Sequence, residues 1–122
     1  GDIIESSPKV ADKLQEGKRK NLKFEIMANI ATNIFHATTA NKQDLDKIEA
    51  FLDDNFNGYI NRYADIIDAE FSSRWEYPEK EINKLVESLE AKNEIYIRIL
   101  TYELENEYVS FRTFSQGKWA IK

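Results

Sequence analysis

The sequence predicts an α+β fold: about four helices packed on one face of a small C-terminal antiparallel sheet with strands at 95–104, 108–114 and 118–121. Two patterns carry that expectation. Apolar residues recur every three or four positions from Leu22 to Leu89, as one buried helix face requires, and from Ile95 the period drops to two. With 42% hydrophobic residues in 122, the chain can build one core and bury on the order of two-thirds of its unfolded surface. A flexible lead over 1–7 and a single domain over 8–122 are expected.

Ser7 and Pro8 mark a helix start, since a serine oxygen caps free amides and proline loses nothing at the first helical position. Val10 and Leu14 share a face, and Gly17 weakens the helix. The stripe then resumes through Leu22, Ile26, Ile30 and Ile34. The basic residues Lys18, Arg19, Lys20 and Lys23 read as a solvated face. Asn41 caps a second helix with Asp44 in its first turn, and Leu45, Ile48, Phe51 and Leu52 face inward. A third helix is expected along Ile60, Tyr63, Ile67, Phe71 and Trp75, and a fourth opens at Pro78 with Ile82, Leu85, Val86 and Leu89 inward.

From Ile95 the chain is dense in β-branched and aromatic residues, which favour a pleated surface over a helix. The competing reading is a helix through ELENEY. Turns fall at ENE and at SQGK, where Gly117 supplies a positive φ.

Charge and composition exclude several function classes. With 17 basic and 22 acidic residues the net charge is −5, which opposes nucleic-acid binding. No cysteine is present, so thiolate chemistry and disulfides are absent. No run approaches the roughly 18 apolar residues of a membrane span. The chain opens on Gly1 and its only methionine is Met27. An exported protein, periplasmic or extracellular, with its signal segment removed is one expectation on that ground, and a truncated cytoplasmic protein is the alternative. His36 is the only histidine, and on that ground no acid-base dyad, Ser-His-Asp triad or zinc cluster of several imidazoles is expected within the chain. At the end of a helix it reads as an ordinary terminal residue. Acidic pairs such as Asp53 with Asp54, or Glu103 with Glu105 and Glu107, read as solvation.

The stretch DDNFNGYI resembles the first two-thirds of a calcium loop of the EF-hand or dockerin type, with Asp53, Asn55 and Asn57 at alternate positions followed by Gly58. The resemblance implies a calcium-stabilised domain with Asp53, Asn55, Asn57, the Tyr59 carbonyl and Asp65 as metal ligands. Two departures stand against it: Ala64 occupies the final carboxylate slot, and no second copy of the loop is found. The alternative is a tight connection between two helices, closed by Asn57 and Gly58 in left-handed conformations.

Strand alternation gives the main functional expectation. With Ile95, Ile97, Ile99, Val109, Phe111, Trp119 and Ile121 facing the helices, Tyr96, Arg98, Leu100, Tyr102, Tyr108, Arg112 and Phe114 share the opposite side. Tyr, Arg and Phe are enriched where partners bind, because they bury much area at modest entropic cost. The expected function is therefore a non-catalytic interaction module without a cofactor. Tyr96, Arg98, Tyr102, Tyr108, Arg112 and Phe114 would bind a protein partner or a second copy. The alternatives are the calcium-stabilised domain, and an enzyme or small-ligand carrier, which requires a concave pocket with converging polar groups.

Overall fold

β-branched residues and alternation set the first described element. A computed structural model describes residues 30–122, and strand β1, Ile30–Thr38, buries Ala31, Asn33, Phe35 and Ala37 while the residues between them face outward. Helix α1, Lys42–Asn55, follows, capped by the Asn41 side chain, which accepts the Asp44 amide at 2.9 Å. Strands β2, Gly58–Tyr63, and β3, Ile66–Arg74, form a hairpin, and helix α2, Glu79–Glu87, starts directly after Pro78. Strands β4, Tyr96–Glu103, β5, Tyr108–Ser115, and β6, Lys118–Ile121, complete the sheet.

All six strands lie in one sheet, in the order β2-β3-β1-β4-β5-β6. Contacts of Asn33 with Phe71, His36 with Asp68 and Thr39 with Asp65 step in opposite directions along β1 and β3, so this central pair is antiparallel like the rest. The first six elements run β-α-β-β-α-β as a split βαβ arrangement, and β5 and β6 extend it beyond β4. Leu45, Ile48 and Leu52 of α1 and Ile82, Leu85 and Val86 of α2 pack on the sheet side formed by Phe35, Ala37, Ile67, Ala69, Phe71, Ile97, Ile99 and Phe114. The core therefore lies on one side of the sheet, and among the described residues no helix packs on the other side, called the open side below.

The expectation of about four helices on a small three-stranded sheet is overturned, because the described residues hold a six-stranded antiparallel sheet and two α-helices. The expected helix through Ile30 and Ile34 is strand β1 where it is described, and the expected helix over Ile60 to Trp75 is the β2–β3 hairpin. Both errors share a cause. A spacing of four is close to one helical turn but is also twice the strand repeat, so Ile30 with Ile34, and Ile67 with Phe71, satisfy either pattern. The hairpin turn gave no warning either: it consists of Ala64 and Asp65, with Ala64 at φ 51°, where a glycine or asparagine is the usual signal. The expected lead over 1–7, the helix start at Ser7 and the basic cluster Lys18 to Lys23 lie outside the described residues.

One buried charge fixes the two helices relative to each other. Asp44 is fully buried, and its carboxylate accepts the Glu90 amide at 2.8 Å and the Ala91 amide at 2.9 Å, in the segment after α2. Replacing it leaves two amides without acceptors, so Asp44→Ala is expected to lower unfolding free energy by about 2–4 kcal/mol in urea denaturation. A loss under about 0.5 kcal/mol, the range of a surface substitution, would contradict this role.

Candidate functional site

The sheet register sorts the expected binding residues into two groups. Directly paired residues share a face, and β4 keeps its expected alternation: Ile97, Ile99 and Thr101 are buried, while Tyr96, Arg98, Leu100 and Tyr102 face the open side. Strand β5 is reversed. Ile97 pairs with Phe114, Ile99 with Arg112 and Glu103 with Tyr108, so Tyr108, Arg112 and Phe114 lie on the helix side and Val109 and Phe111 on the open side. The cause is the length of the connection. Four residues, Leu104 to Glu107, separate the paired Glu103 and Tyr108 in place of the three expected, and a change of one residue exchanges the two faces of a strand.

Two of the reversed residues hold the segment that leads into α2, and the third is buried in the core. Tyr108 Oη accepts the Tyr77 amide at 3.0 Å, and the Arg112 guanidinium lies 4.0 Å from the centre of the Tyr77 ring. Arg112 Nε also donates to Ser110 Oγ at 3.0 Å, and Phe114 is 3% exposed. Burial pushes the Tyr77 phenol well above the usual range, so it stays protonated. Half of the expected face thus lies on the helix side, and Tyr96, Arg98 and Tyr102 remain on the open side.

The open side gains residues that the sequence reading placed elsewhere. His36, on β1, pairs directly with Arg98 on β4 and meets Asp68 on β3, its Nδ1 2.7 Å from Asp68 Oδ1. An ionised carboxylate only accepts hydrogen bonds, so Nδ1 carries the proton and donates it. Tyr63 Oη donates to the other oxygen, Asp68 Oδ2, at 2.9 Å. These two bonds, with the nearby Arg98 charge, hold the Asp68 carboxyl below its ordinary range, the His36 bond contributing most. The same carboxylate raises the Tyr63 phenol.

Asp68, His36 and Arg98 therefore form a charged rung across three adjacent strands. The next rung along the open side is Tyr59, Glu70, Ile34, Leu100 and Phe111, largely apolar. The two rungs line a concavity of about 340 Å³. His36 Nε2 makes no hydrogen bond within the described residues, which leaves it to meet a ligand. Spacing could not have revealed this site, because His36 and Asp68 are 32 residues apart and meet only through the β1–β3 pairing.

The calcium candidates are not brought together. Asp53 and Asn55 lie on the last turn of α1, Asn57 directly precedes β2, and Tyr59 is within it. Asp65 sits in the hairpin turn beyond the far end of β2, about 20 Å from Gly58 at the rise of a strand. The segment leaves α1 into a strand, not into the second helix of an EF-hand. Gly58 is required for a different reason from the expected left-handed turn, since a Cβ there would collide with the Glu70 carbonyl oxygen and come within 2.6 Å of Phe71 Cα. A second concavity of about 430 Å³ lies beside Asp53, but its carboxylates Asp46 and Glu49 are bridged by Arg62 at 2.6 and 3.0 Å. Among the described residues no group of three or more His, Cys, Asp or Glu side chains is arranged to hold a metal ion.

No helix of the described residues is long and apolar enough to cross a membrane. Comparison with protein-family models, curated proteins and solved structures finds no match to this chain.

The lowered Asp68 value has a consequence for acid stability. Its folded value lies below its unfolded one, so the stability it contributes is present above about pH 3.9 and is lost as pH falls through the folded value. Urea unfolding measured from pH 6 down to pH 2 is expected to show a shallower acid loss in Asp68→Asn than in the wild type. Equal slopes would contradict the pairing.

Proposed function

We propose that this chain is a binding module whose site is the open side of the sheet, and that its ligand is a small, mainly apolar molecule with one hydrogen-bonding group. The observation that supports this reading is the concavity in which the charged rung Asp68, His36 and Arg98 adjoins the apolar rung Ile34, Leu100 and Phe111. Its volume falls in the lower part of the range of small-molecule sites, roughly 300–1,000 Å³, and such sites combine apolar walls with a few fixed polar groups. The charges select against strongly ionic ligands: an anion meets Asp68 and Glu70, and a cation meets Arg98. An uncharged molecule with a carbonyl or hydroxyl suits both rungs.

A second reading, a protein partner or a second copy on the same side, draws on the exposed Ile30, Ile34, Tyr59, Tyr63 and Val109. Nucleic acid fits poorly, given the net charge of −5 and the two carboxylates on this side.

Acetophenone, an uncharged aromatic ketone, separates these readings. In ¹H–¹⁵N correlation spectra it is expected to shift the amides of His36, Arg98, Leu100 and Phe111, and Leu100→Glu is expected to abolish those shifts. Shifts confined to other residues, or unchanged in Leu100→Glu, would contradict the reading. Concentration-dependent broadening of the open-side amides without added ligand would favour self-association instead.

A further inference from the structure

The His36–Asp68 pair suggests more than binding. We propose that His36 is a general base acting on the bound molecule, with Asp68 as its positioning residue and the Arg98 guanidinium as the cation that receives developing negative charge. The substrate class that fits is a carbonyl compound with an acidic C–H beside the carbonyl. This inference rests on the binding reading above.

The geometry supports each role in turn. Asp68 accepts the Nδ1 proton at 2.7 Å, which fixes the tautomer and leaves the lone pair of the ring on Nε2. Tyr63 holds the second Asp68 oxygen at 2.9 Å, so the carboxylate is itself oriented. A base oriented by a second group is one mark of a general-base site. Arg98 pairs with His36 across β1 and β4, so base and cation are neighbours on the same side and line the same concavity. The rung of Ile34, Leu100 and Phe111 supplies an apolar wall beside the pair.

The step balances without an oxidant or a cofactor. The C–H bond beside the carbonyl breaks, its proton passes to Nε2, and its electron pair forms the C=C bond of an enolate whose oxygen carries the charge towards Arg98. Imidazolium, stabilised by the Asp68 carboxylate, then returns a proton to carbon. In D₂O the imidazolium first exchanges its Nε2 proton with solvent and then delivers a deuteron to carbon, so the exchange is visible on a bound ketone that carries a C–H beside its carbonyl.

Acetophenone serves as the probe, with loss of its methyl proton signal in D₂O followed by NMR. The wild type is expected to exchange it faster than buffer alone. His36→Gln is expected to cut the excess rate by about 100-fold, the lower end of general-base contributions. Asp68→Asn is expected to change the shape of the rate-versus-pH curve, which a purely structural role would not do, and Arg98→Met to lower the rate at all pH values. Retained dispersion of the amide spectrum checks that each variant is folded. Site shifts without exchange, or exchange that persists in His36→Gln, would overturn the general base and leave the binding reading standing. Neither shifts nor exchange would overturn both.

Discussion

The sheet depends on a polar contact at its centre. Asn33, on the helix side of β1 and fully buried, donates from Nδ2 to the Phe71 carbonyl at 3.2 Å and to Ser73 Oγ at 2.9 Å, and its Oδ1 accepts the Thr101 hydroxyl at 2.6 Å. One side chain thereby ties β1 to both of its neighbours. Alternation of apolar residues forbids a slip of one position but tolerates a slip of two, which keeps every side chain on its own face. The Asn33 contacts remove that freedom, since any slip leaves buried donors and acceptors without partners. With β1 in register, His36, three residues further on, falls opposite Arg98 and against Asp68.

The two sides of the sheet then use similar residue types for different ends. Tyr108 and Arg112, on the helix side, are spent on Tyr77 and the start of α2. Tyr63 and Arg98, on the open side, surround the His36–Asp68 pair instead. Composition alone does not separate these roles. Which side a residue faces decides whether it anchors a helix or meets a ligand, and that depends on strand register.

Signals confined to a few neighbouring residues were legible in the sequence. Asn41 caps α1, Pro78 precedes α2, Gly117 adopts φ 76° in the β5–β6 turn, and the alternation along β4 assigns its faces. What failed was read over longer distances or through ambiguous spacing. The four-residue repeat of Ile30 and Ile34 fits a strand as well as a helix, and the Ala64–Asp65 turn lacks the residues that announce a hairpin. The connection after β4 is one residue longer than the expected turn, which places Tyr108, Arg112 and Phe114 on the helix side. The lone histidine reads in the sequence as an ordinary residue at a helix end, but it lies within strand β1, where Asp68, far away in the chain, orients its ring.

Strand register fixes the tautomer of a single imidazole. Long-range ¹H–¹⁵N correlation of the side chain tests it directly, because the chain has one histidine and the spectrum holds one ring. Neutral His36 is expected to carry its proton on Nδ1, and Asp68→Ala to shift the population to Nε2–H. A wild-type ring protonated on Nε2, or a tautomer indifferent to Asp68→Ala, would contradict it.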